Sequence, residues 1–86
     1  MNVSFIDGIK SLDFMSGANP AIFEGITTDG KFWRMSLLDG LATLSINETV
    51  VAQTREHFAT QRGYFLSTAE AERTLQELFT SYEETL

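Results

Sequence analysis

The sequence predicts an α+β domain: an antiparallel β-meander of four or five short strands in the N-terminal half, packed by two C-terminal α-helices. Three observations support this fold class. Asp-Gly dipeptides recur at Asp7-Gly8, Asp29-Gly30 and Asp39-Gly40, and this dipeptide between apolar residues is the strongest short-range hairpin signal. The second half instead has apolar residues at helical spacing. Its last segment opens with Ser67-Thr68-Ala69-Glu70, which matches a capping box.

The N-terminal region predicts two paired strands. Asn2 to Ile6 reads as the first strand, and Ile9 to Phe14 is its expected partner across Asp7-Gly8. The segment from Ser16 to Pro20 predicts a break, because proline disfavours a preceding helix and the segment is rich in turn formers. A strand is therefore expected to begin at Ala21.

The central hairpin, with arms Ala21 to Thr27 and Lys31 to Leu37, has two competing registers. A two-residue loop would consist of Asp29-Gly30. A three-residue loop would consist of Thr28-Asp29-Gly30, with Gly30 in the left-handed conformation that glycine adopts without steric cost. The two loops differ by one residue in pairing, and such a shift changes which cross-strand neighbours meet.

We prefer the three-residue loop because of the pairs it creates. It sets Glu24 opposite Arg34, which joins opposite charges, and gives the Trp33 indole room over Gly25. The face expected to pack inward then consists of Ala21, Phe23, Trp33, Met35 and Leu37. The other face consists of Ile22, Glu24, Ile26, Phe32, Arg34 and Ser36. That second face is not fully polar, so it is expected to be partly covered or to be a contact surface.

The following apolar run, Leu38 to Ile46, fits either a strand or a short helix, since periodicity does not separate the two in so short a run. The Asp39-Gly40 dipeptide favours a strand over Leu41 to Ile46.

Two helices are expected after this run. The first begins at Asn47 as N-cap, has Val51, Thr54 and Phe58 on one face, and ends near Gly63. The second begins at Ser67 and runs to about Glu84. Its apolar face consists of Ala71, Leu75, Leu78, Phe79 and Tyr82, and Arg73 and Glu77 form an i,i+4 pair elsewhere on it. Tyr64 to Leu66 is an extended connector or a short edge strand.

Composition indicates a single folded domain spanning residues 1–86. The chain is 43% hydrophobic and 12% aromatic with a net charge of −6, which is too apolar for a disordered protein. It has no cysteine, so no disulfide stabilises it, and a reducing, cytoplasmic location is expected. The acid excess argues against direct binding to nucleic acid or to an anionic membrane.

No catalytic or cofactor chemistry is evident in the sequence, so we expect no enzyme, no cofactor and no metal site. The one histidine, His57, would need a nucleophile and an orienting acid to act as a base, and is expected to lie on a helix surface. Without cysteine, a zinc site would depend almost wholly on carboxylates. Asp7, Asp29 and Asp39 are explained as turn residues. A pair of carboxylates assembled in space remains the third alternative for function, as an enzyme.

Two surfaces are the candidate binding sites. Phe32 and Arg34 belong to the residue types that dominate binding energy at interfaces. The last helix carries a set of acids that would suit a basic protein partner: Glu70, Glu77, Glu83 and Glu84, together with Glu72. We therefore expect a protein-binding inhibitor or adaptor. The alternative is an assembly protein that forms a homodimer through the sheet face bearing Ile22, Ile26 and Phe32.

In size, acidity and lack of catalytic groups the chain resembles small inhibitors from phages or mobile elements, such as anti-CRISPR proteins, and bacterial immunity proteins. The resemblance is one of type and carries no shared motif. It implies inhibition of a partner protein and assigns no role to any residue.

Overall fold

The fold is an open, five-stranded antiparallel sheet with one α-helix against one face, seen in a computed structural model that describes residues 8–18, 20–55, 64–65 and 67–85. The α+β class and the antiparallel sheet are confirmed. The strands are β1 (Asp13–Gly17), β2 (Ala21–Ile26), β3 (Phe32–Leu38), β4 (Leu41–Ile46) and β5 (Thr49–Thr54), and the helix is α1 (Thr68–Glu84). Each strand pairs with its sequence neighbours, so the order is β1-β2-β3-β4-β5.

The central hairpin has the three-residue-loop register. Glu24 lies opposite Arg34, and Gly25 lies opposite Trp33. Gly30 adopts a φ of +85°, as the loop requires. The inward face is also confirmed, because its members are buried: Ala21, Phe23, Trp33, Met35 and Leu37.

The run after β3 is a strand. Asp39 and Gly40 have φ values of 51° and 77°, the pair of left-handed residues that a type I′ hairpin turn needs. β4 then pairs with β3 from Leu41 to Ile46, so the strand interpretation is confirmed over the helical one.

The prediction of a first helix is wrong over residues 47–55. Asn47 and Glu48 have φ values of 49° and 69° and form a second tight turn, after which β5 pairs with β4. Asn47 is not a helix cap. Its side-chain oxygen accepts a hydrogen bond from the Phe32 backbone N–H at 3.1 Å, which ties the turn to β3. The rest of that predicted helix, including His57, lies outside the described residues.

The N-terminal prediction also needs correction. Ile9 makes only an isolated bridge to Thr27, and the first described strand begins at Asp13 rather than at Ile9. Its partner is β2, with a bulge at Met15. The Lys10 and Ser11 amides both donate to the Ile26 carbonyl, so the chain crosses the end of β2 before it joins the sheet. Asn2 to Ile6 lies outside the described residues.

Helix α1 has the predicted limits. Ser67 is its N-cap, with an extended backbone and a side-chain oxygen that accepts from the Glu70 amide at 3.1 Å. The helix packs on the inner face of the sheet over β4 and β5, and the Phe79 ring meets the Trp33 indole edge-on at 6.0 Å. The helix contributes Ala71, Leu75, Leu78 and Phe79 to the core, and Tyr82 packs against it.

Candidate functional site

The two predicted binding surfaces lie on opposite sides of the domain. Trp33 points inward to the helix, so its strand neighbours Phe32 and Arg34 point to the outer face of the sheet. The glutamates belong to α1, on the inner side. The structure therefore does not bring the candidate residues together into one site.

On the outer face, Arg34 is held by two neighbours. Its Nε donates to Glu24 Oε2 at 2.6 Å, and its Nη2 forms an ion pair with the same oxygen. Its guanidinium also lies 5.8 Å from the centre of the Phe32 ring. With Ser45 and Glu48, these two side chains line a shallow depression of about 310 Å³. The Arg34 side chain is exposed, Phe32 is half-buried, and the Glu24 side chain is only 15% exposed.

Three glutamates form a row along one side of α1. Glu70, Glu77 and Glu84 are seven residues apart, which is two helical turns within about 20°, or a spacing of roughly 10 Å. Glu77 and Glu84 line a groove of about 570 Å³ between α1 and β5, together with Gln53, Thr54, Arg73, Gln76, Leu78, Thr80 and Ser81. We call this the β5–α1 groove. Apart from Leu78 its lining residues are polar or charged, and their apolar atoms contribute as much of its surface as their polar atoms.

Glu83 lies on the other side of the helix end. It lines a smaller depression of about 250 Å³ with Tyr82, Gly8 and the turn that holds Asp29. Asp29 accepts from the Thr27 hydroxyl and forms a 3.4 Å ion pair with Lys31. The hydrogen bond from Thr27, followed by the charge of Lys31, holds the pKa of the Asp29 carboxyl below its ordinary value of 3.8. The carboxylate therefore stabilises the turn.

An aromatic groove at the start of the helix was not predicted. It has a volume of about 410 Å³ and lies between β1, β2 and the first turn of α1. Its floor is Phe23, whose ring meets Phe14 edge-on at 5.5 Å and Phe65 at 5.9 Å. Phe14 is 64% exposed. The only sequence signal was the aromatic residue Phe65 in a segment predicted as a connector.

Two kinds of site are absent among the described residues: clusters of metal-binding side chains and buried polar side-chain atoms without a partner. These residues contain no group of three or more side chains of the metal-binding types His, Cys, Asp and Glu. Every buried side-chain nitrogen or oxygen among them has a hydrogen-bond partner, so none is left aimed at a missing ligand. Within the same part of the chain, no helix has the length and apolar character to span a membrane.

Comparison with known proteins gives no relative: no family model, no curated protein and no solved structure matches this chain. The geometry of the described residues is therefore the basis for any functional proposal.

Proposed function

We propose that this protein is a non-enzymatic binding module, an inhibitor or adaptor, that engages a basic surface of a partner protein through the acidic side of α1, the row of Glu70, Glu77 and Glu84. The observation that supports it is the concentration of charge. Helix α1 has five glutamates and one arginine, which is −4 of the chain's net charge of −6. A surface of one sign attracts a partner of the opposite sign and speeds its association.

The end of the helix strengthens the proposal. Glu83 and Glu84 occupy the last turn, where no basic residue is present. The negative end of the helix dipole disfavours acids there by roughly 0.3–1 kcal/mol each. Acids at that position reduce folding stability, and contact with a basic partner would offset that cost.

The test is capture of partners from a lysate of the source cells by three forms of the full chain. The forms are the natural chain, Glu77→Lys/Glu84→Lys, and a control with the same change in charge, Asp13→Lys/Glu48→Lys, on the opposite side of the sheet. We expect a basic protein to be retained by the natural chain and the control, to be lost by the helix variant, and to be released by salt.

Circular dichroism melts establish that all three forms fold. Equal retention by all three forms would remove the acidic helix as the binding surface. Equal loss by both variants would show that net charge, rather than the helix, governs retention. A reducing, cytoplasmic setting belongs to this proposal and is supported by the absence of cysteine.

A second function, assembly into a homodimer, is favoured by the outer face. Several of its apolar side chains are exposed, and the ion pair of Glu24 with Arg34 leaves its centre without excess charge. Ile26, Leu38 and Val50 are among the exposed large apolar residues. Light scattering at rising concentration tests this: Phe32→Ser should abolish a dimer and Met15→Ser, on the bulge of β1, should not. A monomer at all concentrations would overturn the idea.

A further inference from the structure

We propose that the depression on the outer face, lined by Phe32, Arg34, Ser45 and Glu48, is a second binding site that takes one arginine side chain of a partner protein. The depression lies on the side of the sheet opposite α1, so this binding activity is separate from the function proposed above. Three features support the site: the backbone conformation of Glu48, the anchoring of its turn, and the charge balance around the depression.

The first feature is that Glu48 occupies a position that suits glycine. Its φ of 69° lies in the left-handed region, which residues other than glycine, asparagine and aspartate rarely adopt. It is the second residue of the two-residue turn between β4 and β5, where glycine is favoured. Strained residues cluster at ligand sites, so a glutamate kept at this position indicates a role for its side chain.

The second feature is that the turn is anchored beside Phe32. The Asn47 backbone N–H donates to the Phe32 carbonyl oxygen at 2.8 Å, and the Phe32 N–H donates to the Asn47 side-chain oxygen at 3.1 Å. These two hydrogen bonds tie the turn to the start of β3. Glu48 therefore lines the depression before any ligand binds, which lowers the entropy lost on binding.

The third feature is the charge balance, which identifies the occupant. Arg34 is paired with Glu24, whereas Glu48 is exposed and has no hydrogen bond or ion pair with any residue that the structure describes. The three charges in and beside the depression therefore sum to −1. One cationic group from a partner would neutralise them.

The lining favours arginine as that group. Most of the lining surface is polar, and the Glu48 carboxylate and the Ser45 hydroxyl can both accept hydrogen bonds. A guanidinium has five donors and forms paired hydrogen bonds with a carboxylate, whereas an ammonium is a point charge. The half-buried Phe32 ring provides an apolar wall against which the methylene groups of the arginine can pack.

The test is an NMR titration of the isotope-labelled full chain with N-acetyl-arginine amide. We expect saturable shifts of the Phe32, Ser45 and Glu48 amides with millimolar affinity, as for a ligand of this small size. The matched ligand is N-acetyl-citrulline amide, which has nearly the same shape and no charge. It should bind at least about fivefold more weakly, because it cannot form a charge-assisted hydrogen bond.

Two substitutions separate binding from folding. Glu48→Gln keeps the side-chain shape and removes the charge, so it should weaken binding at least about fivefold with little change in melting temperature. Glu48→Gly should also lose binding but should raise the melting temperature, because it relieves the left-handed conformation. The matched control is Asp13→Asn, which removes an acid from the edge strand β1 and should leave binding unchanged.

Three results would overturn the site: no saturable shift, equal binding of the arginine and citrulline ligands, or undiminished binding by Glu48→Gln. Shifts at Phe32 and Ser45 that grow with protein concentration alone would make a second copy the occupant, and would also overturn a partner's arginine. A millimolar contact is too weak to retain a partner by itself, so each of these results leaves the capture experiment to decide the proposed function.

Discussion

At the scale of single residues, Gly25 determines how the N-terminal segment and the sheet fit together. A Cβ atom built on Gly25 would lie 1.9 Å from the Ser11 carbonyl oxygen and 2.8 Å from Trp33 Nε1. That nitrogen donates to the same Ser11 oxygen at 3.1 Å. The sequence predicted that Gly25 lies opposite Trp33, because the register was chosen to pair Glu24 with Arg34 one residue away. It did not predict the crossing of Ser11, because no local pattern encodes a contact between such distant segments.

We expect Gly25→Ala to lower the free energy of unfolding by about 2–3 kcal/mol, because the backbone around Ser11 must move away from the new methyl group. Urea unfolding measures the change. The control is Gly17→Ala, where a Cβ would meet only Phe14 Cζ at 3.4 Å and little change is expected. Equal losses in the two variants would contradict the close approach.

At the same scale, the lowered pKa of Asp29 predicts how folding stability changes with pH. Its pKa is lowered in the folded state by the Thr27 hydrogen bond and by Lys31, so its contribution is complete above the ordinary value of 3.8. The contribution is then lost as the pH falls through the lower folded-state pKa. Asp29→Asn should therefore lower the melting temperature at neutral pH, and its difference from the natural chain should shrink toward zero in acid. A difference that does not shrink as the pH falls below 3.8 would contradict this assignment.

At the scale of elements, the sequence predicts what depends on local chemistry. The limits of α1 follow from the Ser67 cap and from the spacing of its apolar residues. The turn at Asn47-Glu48 was misread because asparagine is favoured both as a helix N-cap and in the left-handed conformation. The β-branched residues that follow, Thr49, Val50 and Val51, favour a strand, and their pairing with β4 decides the outcome.

Glu48 retains strain that a substitution should relieve. Its φ of 69° costs a non-glycine residue about 1 kcal/mol. We expect Glu48→Gly to raise the free energy of unfolding by up to about 1 kcal/mol, because glycine is favoured at the second position of a type I′ turn. Glu48→Ala, which removes the carboxylate and keeps the strain, should give no such gain. Thermal and urea unfolding of the two variants provide the comparison.

At the scale of the whole molecule, α1 carries −4 of the net charge of −6, and stability and binding should respond to this charge in opposite directions. We expect Glu84→Lys to stabilise the fold by about 0.3–1 kcal/mol through the helix dipole, with a smaller gain in 1 M salt. The same substitution should weaken capture of a basic partner. A stabilised variant with unchanged capture would separate the acids from binding.

The sequence predicted the acid excess of the helix and the half-apolar sheet face, because both follow from residue type and periodicity. It did not predict that Phe32 and Glu77 lie on opposite sides of the domain, which depends on the face of the sheet that α1 covers. The β5–α1 groove could not be predicted either, since residues 49–54 were assigned to a helix.

The buried indole of Trp33 gives this protein an internal optical reporter. It is the only tryptophan, it is fully buried, and it contacts three distant parts of the chain through Ser11, Gly25 and Phe79. Its fluorescence emission should therefore lie at short wavelength in the native state and shift to the red in one step on unfolding. Every stability measurement proposed above can be made on that single intrinsic signal, without labelling the chain.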